Sequence, residues 1–399
     1  LVATWPNGRQ QILINIPADQ KLVLQAKDAT KKVQKLPLIT TIFHEIISPI
    51  RFQQTASTVR DFDRQHLLIG EMSFSGPCLA KGDVNGDKKE DVIVGGCAGQ
   101  AMTLYVQQSN GQFSPKNIPA FAADQAFSTT DGALFDANGD GFLDLYAAGG
   151  GYHQLAEQDP LLLDRLYIND GKGGFSRDMQ ALPDWRASKG CVAVGDCNGD
   201  GHPDLFVGGR VVPGRYPEAP TSVLLINDGK GHFSDQTSTL APQLSKVGMV
   251  TDAVWVDLNQ DGSPELVLVG EWLPISVYAL RNGQLEDQTW QYFGKTYTGW
   301  WNTLAVADIN HDQKPDLIAG NMGLNTQFQV SEAAPADLYY RDFDGNGSVD
   351  PVFCYFIQGK SYPYLTRDEL GKQLPRMRAR FTSYESYADA TLNDLFPAA

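Results

Sequence analysis

Carboxylates and carboxamides recur in this chain at a fixed spacing. In the stretch Asp196-Cys-Asn-Gly-Asp-Gly-His-Pro-Asp204, Asp196, Asn198, Asp200 and Asp204 fall at the first, third, fifth and ninth positions. Alternate residues of a tight loop can aim side-chain oxygens at one centre. A hard divalent cation such as calcium takes roughly six to eight oxygens at about 2.3–2.6 Å. The seventh residue, His202, would offer its backbone carbonyl, so its side chain is not required. Gly199 and Gly201 permit the positive φ angles of such a wrap.

The pattern occurs six times. The first copy has Asp83, Asn85, Asp87 and Asp91, with Lys89 seventh. The second has Asp136, Asn138, Asp140 and Asp144, with Phe142 seventh; the third is the stretch above. The fourth has Asp257, Asn259, Asp261 and Glu265, with Ser263. The fifth has Asp308, Asn310, Asp312 and Asp316, with Lys314. The sixth, Asp342, Asp344, Asn346 and Asp350 with Ser348, exchanges the acidic and amide positions. A single copy could be only a turn, since Asp, Asn and Gly favour turns. Six copies with an oxygen at all four positions point to metal binding. An EF-hand would need a twelve-residue loop ending in Glu between helices, whereas the residues after each ninth position are strand-like.

The charge agrees with this reading. The chain has 399 residues and a net charge of −15. The six nonamers carry 19 of the 47 acidic residues against three lysines, leaving the remainder close to neutral. Without a basic excess the chain is a poor generic nucleic-acid binder. No run of about eighteen apolar residues marks a membrane span. Five cysteines are too few for a disulfide scaffold. Cys78 and Cys97 flank the first loop, and both a disulfide and two buried thiols are open. The chain opens inside a strand-like segment without an initiator Met and reads as a fragment of a longer protein.

Around the loops a unit repeats. Loops start at 83, 136, 196, 257 and 308. An apolar strand leads into each loop. A second leaves it and ends in glycine, as in Asp91-Val-Ile-Val-Gly-Gly96, Asp144-Leu-Tyr-Ala-Ala-Gly-Gly150 and Asp204-Leu-Phe-Val-Gly-Gly209. A third strand runs into an Asn-Gly or Asp-Gly turn, a strong hairpin signal, and a fourth closes the unit. A period of this length with four antiparallel strands predicts an all-β fold, a β-propeller. Five full blades are expected, of seven in all. The remainder would come from residues 36–76 or lie beyond Ala399. The sixth loop follows the fifth too closely for a whole blade and is placed in the outer hairpin of the fifth. Residues 1–35 read as short strands at 2–5, 11–16 and 21–25, residues 36–66 as a linker, and 67–399 as the propeller, with a helical segment at 366–396.

Loop and following strand, as in Asp204-Leu-Phe-Val-Gly-Gly-Arg210, resemble the FG-GAP (VCBS) repeat of integrin α heads and bacterial surface proteins. The N-terminal Val2-Ala-Thr-Trp-Pro-Asn-Gly-Arg-Gln10 is similar to the tail of an ASPIC/UnbV domain, found with such repeats in secreted proteins of Bacteroidetes type. The resemblance implies a calcium-stabilised propeller that presents loops to a partner, with the loop residues above as ligands. Lys88 and Gln313 stand where the family has glycine, and Gln260 departs at a fourth position.

No hydrolase, zinc-protease or phosphate-loop motif occurs, and of the six histidines His202 and His311 lie inside loops. Trp300 and Trp301 could stack on a sugar or wedge between blades. One functional reading is therefore an adhesion or binding propeller for a protein or glycan. The alternative is a calcium-dependent polysaccharide lyase, for which His153, Arg210 and Tyr216 are candidate bases beside a metal-neutralised uronate. Weak calcium sites fill only where calcium is plentiful, roughly 10⁻⁴–10⁻³ M, which predicts an extracellular, cell-surface or periplasmic location. Strand direction puts the metal loops and hairpin turns on one face. The long insertions 151–165, 210–222 and 321–337 and the inter-blade stretches 182–190 and 290–302 fall on the other. The partner is expected there, at Tyr152, His153, Arg210, Arg215, Tyr216, Tyr297, Trp300 and Asn325.

Overall fold

The structure, a computed structural model, describes all residues except 18, 33–42, 44, 56–58, 74–75, 324–325 and 397–399. Asn325, His44 and part of the stretch 36–66 therefore lie outside the described residues. Two compact units are present, Leu1–Pro49 and Ile50–Ala399.

In the first unit, Val2–Thr4, Arg9–Ile12 and Lys31–Lys32 form an antiparallel three-stranded sheet. The turn between the first two strands uses Gly8 at φ +74°, and Asn7 accepts the Arg9 N–H at 3.0 Å. The third strand is not the expected 21–25. That stretch forms no strand and leads into the 3₁₀ turn Ala26–Asp28, and the chain pairs only after it, Lys31 opposite Gln10.

The second unit contains four complete antiparallel sheets, each with its strands in sequential order. The first is Cys78–Gly82, Asp91–Gly95, Thr103–Gln107 and Phe113–Lys116. The second is Ser128–Phe135, Asp144–Gly150, Arg165–Asn169 and Phe175–Asp178. The third is Ser188–Gly195, Asp204–Val211, Val223–Asn227 and Phe233–Asp235. The fourth is Met249–Val256, Glu265–Pro274, Ser276–Arg281 and Gln284–Asp287. First strands of consecutive sheets lie side by side, so the sheets are blades and the fold is an all-β β-propeller. Apolar layers fill the spaces between blades. Ile93, Leu104, Leu145 and Tyr167 share one cluster, Tyr146, Leu166, Leu205 and Leu225 the next, and Phe206, Leu224, Leu266 and Tyr278 the third. Because both faces of a blade are covered, a second strand such as Asp144–Gly150 is buried along its whole length. Burial on both faces also accounts for the unbroken apolar runs after each loop. The glycines that end these strands mark close approach: a Cβ on Gly208 would sit 2.7 Å from Val250.

The fifth unit departs from the expected five full blades. Thr298–Ala307 and Asp316–Asn321 pair with each other, and Trp300 and Gly299 pair with Glu271 and Leu273 of the fourth blade. Among the described residues no further strand joins them on the outer side. Nor does the sixth loop sit in an outer hairpin of this blade. It connects Asp337–Arg341 to Asp350–Ile357 in a separate three-stranded sheet completed by Lys360–Pro363. Every complete blade follows its second strand with a third strand and a hairpin turn. Among the described residues after Asn321 neither joins this blade, and the strands flanking the sixth loop satisfy each other.

Four short helices follow: Arg367–Gln373, Arg376–Arg380, Tyr384–Ala388 and Leu392–Leu395. Thr366 and Glu369 close a capping box on the first. Leu370, Leu374, Met377 and Phe381 pack with Val352 and Cys354 of the last sheet and with Leu67. The last sheet in turn meets the insertion ends of the blades. Trp272 lies 5.8 Å from Phe353, and Leu68, Met72, Tyr152, Val211 and Tyr216 form one cluster with Leu338 alongside.

Candidate metal centres

All six loops are wound by one hydrogen-bond scheme. In the third loop Asp196 Oδ1 accepts the N–H of Gly199 at 2.7 Å and of Asp200 at 3.1 Å, and Oδ2 accepts Gly201 N–H at 2.8 Å. Asn198 Oδ1 accepts Asp200 N–H, and Asp200 Oδ1 accepts His202 N–H, each at 2.9 Å. Asp204 Oδ2 reaches back to the Cys197 N–H at 3.1 Å. Asp83, Asn85, Asp87 and Asp91 repeat this. So do Asp136, Asn138, Asp140 and Asp144. The fourth and fifth loops keep the bonds to positions five, six and seven, and their ninth residues, Glu265 and Asp316, hold the second residue's N–H. Asp342, Asp344, Asn346 and Asp350 close the sixth in the same way. The sequence thus folds each loop locally. A first-position aspartate gathers successive amides, and positive φ at the fourth and sixth residues, as at Gly199 and Gly201, turns the chain around it. Where glycine is missing, Lys88, Gln260, His311 and Gln313 adopt the same left-handed φ of 60° to 68°, a conformation that costs non-glycine residues energy.

The ninth carboxylate anchors the loop in the blade. Asp91, Asp144, Asp204 and Asp350 are buried. Asp91 Oδ1, Asp144 Oδ1 and Asp204 Oδ1 accept the N–H of Gln107, Asn169 and Asn227, the last residues of the third strands, at 2.8–2.9 Å. In the sixth loop the Gln373 side chain takes that place at 2.6 Å. Burial, with Asp140 and Asp136 adding repulsion, pushes Asp144 up to about 6, and burial likewise raises Asp91, Asp204 and Asp350. Buried carboxylates crowded by like charge and offering free lone pairs suit a hard dication, which offsets both penalties. In the sixth loop one oxygen each of Asp342, Asp344 and Asp350 lies within 4.8 Å of the others. Among the described residues only the sixth loop brings three carboxylates this close, and its donor set fits calcium. The first loop adds a competitor: Lys89 Nζ lies 2.9 Å from Asp87 Oδ2 and holds that carboxyl below its usual range.

The seventh side chains have a part the sequence reading did not give them. The Phe142 ring covers Gly171, and the His202 ring covers Gly229, so closely that a Cβ on either glycine would collide with it. Two further residues were missed. Asn169 Nδ2 donates to the carbonyls of Val84 and Leu143, both at 2.9 Å. Asn227 Nδ2 donates to Ala137 at 2.9 Å and Pro203 at 3.2 Å. Each asparagine ties its own blade's loop to the loop of the preceding blade. The signal was the Asn that opens each Asn-Asp-Gly-Lys-Gly turn, there read only as hairpin chemistry.

Of the other candidates, only Arg210 and Tyr216 come together, on a carboxylate out of reach of an external partner. Tyr216 is 0% and Tyr152 1% exposed, so neither can meet an external partner as expected. Tyr216 donates to Glu271 at 2.7 Å, and Arg210 faces the same carboxylate. His153 sits apart, its Nδ1 3.4 Å from buried Asp61. Burial lifts the Tyr216 hydroxyl well above its ordinary range, which removes it as a base for an outside polymer. Trp300 packs 5.4 Å from Trp272. Cys78 and Cys97 are free thiols. Cys78 Sγ donates to the Gly95 carbonyl, and burial pushes it up to about 12.

Three stretches of the chain, residues 83–147, 136–207 and 257–319, match the FG-GAP-like repeat. The stretches open on the first aspartates of the first, second and fourth loops and between them take in loops one to five. The sixth loop lies outside them. No curated protein matches the chain. Among solved structures, one titled "Structure of Dos1 propeller" is similar over 57% of this chain at 10% identity and a TM-score of 0.34. The chain spans 61% of that structure's length. No helix among the described residues is long and apolar enough to cross a membrane.

Proposed function

We propose that this FG-GAP propeller is a calcium-stabilised binding module for a protein or glycan, working outside the cytoplasm. The observation that carries the metal reading is the common winding of six loops around oxygen donors. The first, third, fifth and ninth side chains and the seventh carbonyl of each loop would hold the ion. Bound calcium would neutralise the clustered carboxylates and pin each loop to its neighbours. We read residues 1–35 as the tail of an ASPIC/UnbV domain. The partner surface lies on the insertion side, at half-buried Arg215 and exposed Tyr297, and no longer at Tyr152 or Tyr216.

A metal that binds only the folded chain stabilises it by mass action. Adding EDTA to the calcium-loaded protein should lower Tm by several degrees, and titration calorimetry should give at least four sites. Asp200→Ala should abolish one site. His202→Ala should keep all sites while losing some stability, because its ring covers Gly229. An unchanged Tm in EDTA together with no calcium heat overturns the metal reading. Arg215→Ala with Tyr297→Ala should weaken capture on a glycan or protein array without changing Tm.

A further inference from the structure

Seven asparagines in this chain are followed by glycine, at positions 7, 85, 110, 138, 198, 282 and 346. A glycine has no side chain to keep its amide nitrogen away from the preceding carboxamide. In six of the seven pairs hydrogen bonds hold the two groups apart. Gly86, Gly139 and Gly199 give their N–H to the first aspartates of their loops, Asp83, Asp136 and Asp196, at 2.7–2.8 Å. Gly347 gives its N–H to Asp342 at 2.8 Å. Gly8 and Gly111 give theirs to the carbonyls of Trp5 and Gln108 at 2.8 and 2.9 Å. The carboxamides are held as well. Oδ1 of Asn7, Asn85, Asn110, Asn138, Asn198 and Asn346 each accepts the N–H of the residue two further on, at 2.7–3.0 Å.

Asn282 is the exception. With Gly283 it forms the two-residue turn between Ser276–Arg281 and Gln284–Asp287. Both residues have positive φ, 51° and 81°, as a type I′ hairpin turn requires. Residues 281–284 are all exposed. Among the described residues no acceptor takes the Gly283 N–H, and no donor meets the Asn282 carboxamide oxygen.

We propose that Asn282 is a self-modifying site, converted in water to aspartate and isoaspartate while the other six asparagines persist. The Gly283 nitrogen bonds to Asn282 Cγ, the Cγ–Nδ2 bond breaks, and ammonia leaves with the proton of the Gly283 amide. Water then opens the cyclic imide at either carbonyl. Opening at one side gives aspartate, and opening at the other gives isoaspartate, which runs the main chain through the side-chain carbon. That lengthens a turn built for two residues between the paired Arg281 and Gln284. The strand behind it carries Leu285, which is buried with Phe206, Leu266 and Tyr278, so the modification loosens the outer strand of the fourth blade. In the loops, by contrast, the first aspartate protects the neighbouring asparagine by withholding the glycine amide. The inference does not depend on whether the loops bind calcium.

The test is peptide mapping by mass spectrometry of the 399-residue protein warmed at mildly alkaline pH, with chromatography resolving the aspartate and isoaspartate products. At the other six positions two hydrogen bonds must break before reaction. Asn282 should therefore convert at least about tenfold faster than any of them. In concentrated urea the seven rates should converge, because the fold and not the Asn-Gly sequence sets the order. Asp136→Ala, which frees the Gly139 N–H, should speed conversion at Asn138 and leave that at Asn282 unchanged. Two results would overturn the proposal. They are conversion at Asn282 no faster than at Asn110 or Asn198 in the folded protein, and the same order of rates in urea as in the folded chain.

Discussion

A carboxylate placed between blades reports the electrostatics of the propeller centre. Asp131, in the first strand of the second blade, accepts the Val192 N–H of the third blade at 2.9 Å and the Gly132 N–H at 2.8 Å. Asp252 makes the same link from the fourth blade to the fifth, through Leu304 N–H at 2.7 Å. Burial first, and Asp252 last, push Asp131 up to about 6 against those two amides. A carboxylate raised above its unfolded value near 3.8 binds protons more readily in the folded chain. Stability from this group therefore rises as pH falls from about 6 towards 4, and is lost as pH rises through that window. Asp131→Asn should remove that dependence. Denaturant titrations at pH 7 and pH 4.5 should show the wild type gaining about 1–2 kcal/mol relative to the variant on acidification. A constant difference between the two proteins would show that Asp131 titrates normally.

At the scale of elements, the loop and the neighbouring hairpin behave as one device. Asn227 is 2% exposed, and its amide satisfies carbonyls from two successive loops. Asn227→Ala strands both carbonyls and frees Gly229 N–H, which Asn227 Oδ1 accepts at 3.0 Å. The cost should be about 2–3 kcal/mol. Calcium affinity of the second and third loops should fall together, because Ala137 and Pro203 belong to those loops. Calorimetry that shows only one weakened site would contradict the coupling. This link also marks where sequence reading stops. The loops, strand order and hairpin turns of the four complete blades are written in local patterns, an Asp-x-Asn-x-Asp nonamer and an Asn-Gly turn. The partners of Asn169 and Asn227 in the preceding loops, Val84 and Ala137, are 85 and 90 residues away in the chain, and no local pattern encodes them. The same holds for Tyr216. Its place in a long insertion suggested exposure, and only its contact with Glu271 reveals a core residue. The fifth blade differs from expectation because its loop is complete while, among the described residues, no outer strand pairs with it, and the loop itself does not specify those strands.

Across the second unit, one buried glutamine joins parts that the sequence order keeps far apart. Gln65 is 1% exposed. Its Nε2 donates to the Tyr216 carbonyl at 2.8 Å and the Val349 carbonyl at 2.9 Å. Its Oε1 accepts the Tyr216 N–H at 3.1 Å and the Tyr152 hydroxyl. The second-blade insertion, the third-blade insertion and the sixth loop thus meet on a single side chain. Arg64 beside it donates to the carbonyls of Tyr152, Leu155 and Pro213. The segment carrying these two residues acts as a cross-brace between the blades and the last sheet, since each bond crosses from one body to another. Gln65→Ala leaves four buried polar groups without their partner, a loss of about 3–4 kcal/mol. More telling than the size is the form of the transition. If the brace couples the blades to the last sheet and its helices, the variant should unfold in two steps where the wild type unfolds in one. Helical ellipticity from residues 366–396 should be lost at lower urea than the Trp fluorescence of the blades. A single coincident transition in Gln65→Ala, shifted but not split, would mean that the apolar contacts of Leu67 and Leu68 couple the two parts without the glutamine.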